Sequence, residues 1–242
     1  MAFKHGKNGD VLVAQYDLSA YLNEVTASQS IDTAETSTFA SNAKTYITGQ
    51  NDGTLSFSGL WDGGAGAVDE IFRNIVDNDL TPSITVAQDG GLVFGARCIL
   101  GSAKQTKYEI GIPVGDVVSL SGDFQITNGM RTGVLLAAAS TLSATANGTA
   151  VDNAAATSIG ATANLHVTAN ARSATTVIKI QHSVDNSTWA DLITFSTIAI
   201  STTTSETIQV SGTVNRYLRA QTTIASGTGN ITFTASLARR NN

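Results

Sequence analysis

Charge is scarce in this 242-residue chain, where Asp, Glu, Lys and Arg make up 14% of residues against roughly 25% in ordinary globular proteins. Ser, Thr, Ala and Gly fill the deficit, so polar surface is largely neutral. Hydroxyls are cheaper to bury than ions and readily find partners, which lets such a surface approach copies of itself at little desolvation cost. Cysteine is reduced to Cys98. That excludes an intrachain disulfide and a two-cysteine metal site, and within LVFGARCIL the residue reads as a small core side chain. The two prolines, Pro82 and Pro113, argue against a proline-rich linker or disorder. No run approaches the roughly 18 consecutive apolar residues of a membrane helix. The start of the sequence has no apolar signal-type region, so the expectation is a protein made in the cytoplasm and left there.

Chemistry-bearing motifs are missing as well. The three histidines, His5, His166 and His182, do not fall at a spacing that places two ligands on one helix face, and a zinc enzyme is not expected. No GxSxG elbow marks a serine hydrolase. GGAGAVDE, beginning at Gly63, lacks the GK[ST] ending of a phosphate loop. Asp69 with Glu70, and Asp77 with Asp79, are too close in sequence to face each other on a helix; both pairs read as solvated helix surface. His182 follows Ile180 in strand alternation and reads as a half-buried, hydrogen-bonded side chain. No catalytic residue and no cofactor or metal site is expected.

What the chain does have is period-two alternation. In GTLSFSGLW, Leu55 and Phe57 alternate with Thr54, Ser56 and Ser58, and in VVSLSGDFQIT, Leu120, Phe124 and Ile126 alternate with Ser119, Ser121, Asp123 and Gln125. Both patterns predict half-buried strands. Further strands are expected near residues 11–16, 22–30, 32–39, 82–88, 92–101 and 104–112. One segment breaks the period: Val68, Ile71, Phe72, Ile75 and Val76 recur as the apolar stripe of a single helix, with Asp69 and Glu70 suiting its positive end. Trp61, ending the strand before the helix, reads as core. Residues 39–52, with Lys44 and Tyr46, show no clear period and read as a long loop, a feature that is usually functional or mobile.

From about residue 128 to 160 the texture becomes a low-complexity Ala/Thr/Ser/Gly run, read as short strands and turns with a domain boundary near Gly133. Strand-like runs follow at 162–169, 175–183, 190–196, 205–211, 215–224 and 229–238, the spacing of a β-sandwich. Residues 183–189, SVDNSTW, read as a shortened Asp-box in which Asp185, Asn186 and Ser187 supply the turn. Trp189 either packs beside that turn or faces solvent and stacks on a sugar ring. Arg239 and Arg240 read as an exposed basic tail. Residues 1–133 carry 8 Lys+Arg against 15 Asp+Glu, and residues 134–242 carry 6 against 4. An acidic first half argues against a DNA-binding face, which needs cations to release counterions from phosphate.

The polar arm with Lys4, His5, Gly6 and Lys7, the YDLSAYLN segment and the polar loop leading into DGTLSFSGLWDG resemble the opening of the tail-tube (major tail) proteins of long-tailed bacteriophages. The resemblance covers about the first 130 residues. It implies an all-β fold, mainly an antiparallel sandwich or barrel with one packed α-helix, followed by a C-terminal β-sandwich similar to Ig-like or jelly-roll decorations. Residues 1–133 would be the tube domain and 134–242 the decoration. The function implied is that of a non-enzymatic virion component, assembled in the host cytoplasm. Its subunits would form stacked hexameric or pseudo-hexameric rings that contact other tail proteins and let phage DNA pass without specific binding. Lys4, His5, Lys7, Lys44 and Tyr46 are the candidate inter-subunit contacts. Asp123, Gln125 and Thr127 are the candidate lumen-facing residues, in a bore whose acidic wall would repel phosphate. A capsid decoration protein and a carbohydrate-binding adhesin using Trp189 remain the alternatives.

Overall fold

The computed structural model describes residues 6–40, 42–88 and 90–240. After a short 3-10 turn at Gly6–Asn8 come strands β1 (Asp10–Val13), β2 (Tyr16–Asp17), β3 (Leu22–Glu35) and β4 (Tyr46–Leu60), then helix α1 (Val68–Asp77). The chain continues through β5 (Ser83–Ala87), β6 (Arg97–Gly111), β7 (Ser119–Leu142), β8 (Ala146–Asn147), β9 (Val151–Asp152) and β10 (Ala161–Asn170). It ends with β11 (Thr176–Ser183), β12 (Ala190–Thr194), β13 (Thr204–Val210), β14 (Tyr217–Ile224) and β15 (Ile231–Arg239). The fold is all-β and antiparallel with one α-helix among the described residues. No described helix is long and apolar enough to cross a membrane.

Two compact units divide the chain, and each is assembled from separated stretches. The larger takes the residues up to Ala20, Pro82–Ser102 and those from Arg131 onward; the smaller takes Tyr21–Thr81 and Ala103–Met130. Gly133, where the change in composition suggests a boundary, lies inside β7. The shift to small residues there marks a change in what packs on the strand, not a break in it. Likewise the two strands expected at 22–30 and 32–39 are one strand with an irregularity between Ile31 and Thr33, and those expected at 92–101 and 104–112 merge into β6, which begins at Arg97.

The larger unit contains a β-sandwich. One layer runs β13-β10-β15-β7, and the other runs β12-β11-β14 with β8 and β9 along β14. Ala163, Leu165 and Val167 of β10, Ile178 and Ile180 of β11, Leu218 of β14, and Phe233 and Leu237 of β15 fill the space between them. Each large side chain buried this way stabilises by roughly 1.5–3 kcal/mol. On the opposite face of β10, Thr162, Asn164 and His166 are buried too, because β1 and β5 cover that side. The Asn164 amide donates to the carbonyls of Ile84 (2.8 Å) and Gly101 (3.0 Å). His166 donates from Nδ1 to the Ala14 carbonyl at 2.6 Å, which leaves Nε2 to accept from the Thr85 hydroxyl at 2.8 Å. Cys98 is fully buried, and burial pushes its thiol up to about 12.

Burial opposes the charged imidazolium and pulls His166 down to about 4, a shift that the Ala14 carbonyl only partly offsets. A histidine whose folded value lies below its unfolded value of about 6.5 contributes stability that is complete above pH 6.5 and declines as the pH falls toward 4. The expected loss across that window is about 3 kcal/mol, to which His182, also lowered by burial, adds in the same direction. Urea unfolding midpoints at pH 7.5, 5.5 and 4.2 measure it. The slope is expected to flatten in His166→Asn, and an unchanged slope in that variant would show that His166 is not its source.

The smaller unit is a sheet with a helix on one face. β3 pairs with β4, and β4 pairs with the start of β7, Thr54–Leu60 lying against Ser119–Gln125; β6 approaches the other edge of β7, where the Thr106 hydroxyl donates to the Asp123 carbonyl. Helix α1 buries Val68, Ile71, Phe72 and Ile75. Phe72 meets Phe57, Phe124 and Tyr108 at centroid distances of 6.4, 5.5 and 6.2 Å. Val76, expected on the apolar stripe, is exposed at its margin. Gly122 gives the ring its room, since a Cβ there would stand 2.9 Å from Phe72.

Asp69 departs from the solvated surface expected of it. It is buried, accepting from the Tyr108 hydroxyl and, at 2.8 Å, from Arg73. Burial opposes its ionisation, but hydrogen bonds from Tyr108, Trp61 and Arg73 outweigh that and hold the carboxyl below its ordinary range. Trp61 is half exposed, not core: the chain leaves β4 here, and the indole lies over Gly63, where a Cβ would come within 2.6 Å of the ring.

Candidate assembly surface

The β3–β4 hairpin runs on past the helix-packed sheet. From Thr26 to Glu35 and from Tyr46 to Asp52 every residue is exposed, so neither face of the ribbon has a core. Beyond the pairing with β7, about seven residues per strand reach roughly 23 Å. Two strands with both faces in water are marginal on their own; their cross-strand bonds hold them here, from Ser30↔Asp52 through Ile31↔Asn51 to Glu35↔Tyr46. The loop expected over residues 39–52 is confined to the connection between Glu35 and Tyr46. Its second half is strand, and sequence could not show this because a ribbon exposed on both faces has no burial alternation to read.

At this tip Ile31, Tyr46 and Ile47 are 51%, 55% and 59% exposed and Phe39 is fully exposed. Lys44 forms an exposed ion pair with Glu35 at 3.2 Å. The fold therefore brings together two of the five expected contact residues, Lys44 and Tyr46. Lys7 sits in the 3-10 turn of the larger unit and is exposed; Lys4 and His5 lie outside the described residues.

The smaller unit's sheet has a second face, away from α1, and its register makes that face polar apart from Leu60 at its end. Rows across it read Glu24, Ser58, Ser121, then Thr26, Ser56, Asp123, then Ser28, Thr54, Gln125. Asp52 accepts from the Gln125 amide. Strand alternation adds Thr127 at one end, and on β6 it adds Lys107 and Glu109, opposite in direction to Tyr108, which packs on the helix. The three candidate lumen residues thus share one face. Glu24, Asp52, Glu109 and Asp123 put four carboxylates on it against the ammonium of Lys107, itself paired with Glu109 at 2.5 Å. That pairing, with the further pull of Asp123, raises Lys107 above its ordinary value.

In the larger unit the 183–189 turn has the geometry its residues suggest. Asp185 accepts from the backbone of Thr188 (2.8 Å) and Ser187 (2.9 Å) and from the Ser183 hydroxyl (2.9 Å), bonds that hold its carboxyl far below the usual range. Asn186 takes a positive φ of 61°. Trp189 is half-buried beside this turn, and the Arg219 guanidinium lies over its ring at 4.1 Å from the centroid, occupying a face on which a sugar would stack. His182 is half-buried, and its Nδ1 accepts from the backbone N–H of Asn215 at 3.3 Å.

Sequence reasoning missed Arg172. It is 1% exposed, has no carboxylate partner among the described residues, and donates to the carbonyls of Ser143 (3.0 Å), Ala225 (3.0 Å), Gly227 (3.3 Å) and Gly229 (2.6 Å). An arginine in a Ser/Ala-rich turn carries no local mark of this role. Arg239 and Arg240 are likewise engaged, at the carbonyls of Ala155 and Val210, and are not a free tail.

No protein-family model matches this chain, and no curated protein does. Solved structures similar to it include a chain in the virion of a native gene transfer agent particle, at 16% identity and a TM-score of 0.43 over 54% of this chain and 98% of that one. A chain from the tail of the empty gene transfer agent particle, refined with C6 symmetry, matches at 17% identity and 0.42 over 53% and 97%. The Dit hub protein of phage SPP1 matches at 15% identity and 0.38 over 93% and 98%. These structural neighbours come from a gene transfer agent virion, a gene transfer agent tail and a phage hub adsorption apparatus.

Proposed function

We propose that this chain is a structural subunit of a phage-type tail that assembles with copies of itself into rings, and the rings into a tube. The observation that carries this reading is the β3–β4 ribbon, which is exposed on both faces in the single chain and carries Ile31, Phe39, Tyr46 and Ile47 at its tip. A long exposed hairpin with apolar ends is an aggregation hazard unless a specific partner covers it. The low charge of the whole surface keeps the desolvation cost of covering it with a second copy small.

In this reading residues 21–81 and 103–130 build the wall, and the polar face holding Asp123, Gln125 and Thr127 lines the bore. Four carboxylates on that face repel phosphate and suppress adhesion of passing DNA. Neither a catalytic step nor a cofactor enters. Negative-stain imaging and sedimentation of the purified chain over a hundredfold range of concentration test the reading: rings or tubes are expected at the upper end. A compact species at every concentration would reject it in favour of a capsid decoration protein or an adhesin, and saturable glycan binding lost in Trp189→Ala would select the latter.

A further inference from the structure

A cavity of about 160 Å³ opens at one end of the sandwich in the larger unit, with Arg97, Thr132, Val134, Asn153, Leu237 and Arg239 in its lining. Three strands build it. The Leu135 backbone N–H donates to the Ala96 carbonyl at 3.0 Å, and Val134 pairs with Leu237, so Arg97, Val134 and Leu237 stand in one row across β6, β7 and β15. Arg239 lies two residues farther along β15, on the same face and beside Thr132. Two strand spacings and two residues of rise set the Cα atoms of the two arginines roughly 12 Å apart, a gap that their long side chains close from either side.

The lining contains two cations and no acid. Arg97 is exposed, and no described residue pairs with its guanidinium. Arg239 has neutral partners, donating to the carbonyls of Ala155 at 2.5 Å and Asn153 at 3.4 Å. Those bonds orient the guanidinium without cancelling its charge. Burial lowers Arg239 below its ordinary value, because the cation has lost water that the two carbonyls only partly replace. Asp152, the carboxylate next to Asn153, is held by Arg216, which donates to both of its oxygens at 2.7 Å. Two like charges facing one polar cavity repel each other, and an anion between them is attracted to both.

We propose that this cavity binds a single phosphate-sized oxyanion between the Arg97 and Arg239 guanidiniums, with the Thr132 hydroxyl as a further donor. A planar guanidinium fork meets the oxygens of a phosphate two at a time. Volume sets the ligand class. Water takes about 30 Å³ per molecule in the liquid, so the cavity holds about five waters, or one phosphate and its nearest waters, and has no room for a nucleoside beside it. A free ion and the terminal phosphate of a larger molecule share this chemistry. The site lies apart from the exposed ribbon and stands whether or not the chain forms rings.

Calorimetric titration of the purified full chain with inorganic phosphate and, separately, with glycerol phosphate tests the site at constant ionic strength. Saturable one-to-one binding is expected, about tenfold to a hundredfold weaker in Arg97→Gln. Arg97→Lys keeps the charge without the fork and should fall between the two. No described residue bonds to Arg97, so these variants should keep the urea midpoint of the unmodified chain in chloride. Phosphate should raise that midpoint more in the unmodified chain than in Arg97→Gln, a comparison that subtracts the general stabilising action of phosphate on protein surfaces. Arg219→Gln removes the same charge from the Trp189 face and should bind as the unmodified chain does. Glycerol phosphate binding as tightly as inorganic phosphate identifies an esterified phosphate as a ligand that fits, and saturation by inorganic phosphate alone identifies the free ion. The absence of a saturable response to either probe would overturn the site. Equal weakening in Arg97→Gln and Arg219→Gln would overturn it too, by reducing the effect to diffuse surface charge.

Discussion

Replacing Ile31–Asn51 with an Asn-Gly turn that joins Ser30 to Asp52 is expected to give a folded protein that no longer assembles. Ser30 and Asp52 are cross-strand partners, and Asn-Gly is the two-residue connection whose positive φ angles match the twist of such a pair. Of the excised residues that the structure describes, all but the half-buried Ser37 are exposed, the first core residues inward of the cut being Gly53 and Leu55, so the urea midpoint should barely move. Assembly is another matter. Burial of Ile31, Phe39, Tyr46 and Ile47 against a neighbour is worth up to about 1.5–3 kcal/mol per side chain. Even a small part of that total, about 3 kcal/mol, raises the concentration needed for association more than a hundredfold. Sedimentation and negative-stain imaging read the result, and tubes at the original concentration would show that the ribbon is not an assembly element.

The largest expected loss of stability lies in the larger unit, at Arg172→Met. The substitution keeps length and apolar contact but leaves the carbonyls of Ser143, Ala225, Gly227 and Gly229, now all held by one guanidinium, without that donor. Removing one side of a buried hydrogen-bonded charge leaves the other side desolvated and unpaired, and a loss of about 3–5 kcal/mol in urea unfolding is expected. Arg172→Lys should recover only part of it, because an ammonium lacks the planar fork that spans several acceptors. Arg216→Met is the control. Its partner Asp152 and the guanidinium are both substantially exposed, so the midpoint should hardly change. Equal losses at the two positions would show that the four carbonyl contacts contribute nothing special.

Local pattern carried much of the fold. Alternation in GTLSFSGLW and VVSLSGDFQIT located β4 and the start of β7, and it separated the helix-packed residues Leu55, Phe57 and Phe124 from Ser56, Asp123 and Gln125 on the other face. The 3.6-residue stripe located α1, and the turn chemistry of Asp185 and Asn186 gave the hairpin between β11 and β12. Where pattern failed, the cause was non-local. β10 reads Ala161, Ala163, Leu165 and Val167 on one face and Thr162, Asn164 and His166 on the other, as if half-solvated, yet β1 and β5, some eighty or more residues earlier, cover that polar face. Asp69 sits at a helix start where a carboxylate is at home, and only Tyr108 and Trp61 approaching it turn it into a buried acceptor. The ribbon escaped detection for the reverse reason, being a strand pair with no buried face to impose a period.

The sequence by itself determined the class of structure: antiparallel strands, one helix, a second run of sandwich strands, and a neutral hydroxyl-rich surface, since each follows from side-chain periodicity and composition within a few residues. Tertiary structure alone decided that the chain interleaves into two discontinuous units, that Arg172 and His166 are buried, and that Tyr46 and Phe39 stand at the end of an unsupported ribbon. The reason is that exposure belongs to a pair of surfaces. Whether a face is wet depends on which distant strand comes to cover it, and strand pairing across a hundred residues leaves no trace in the alternation of either partner.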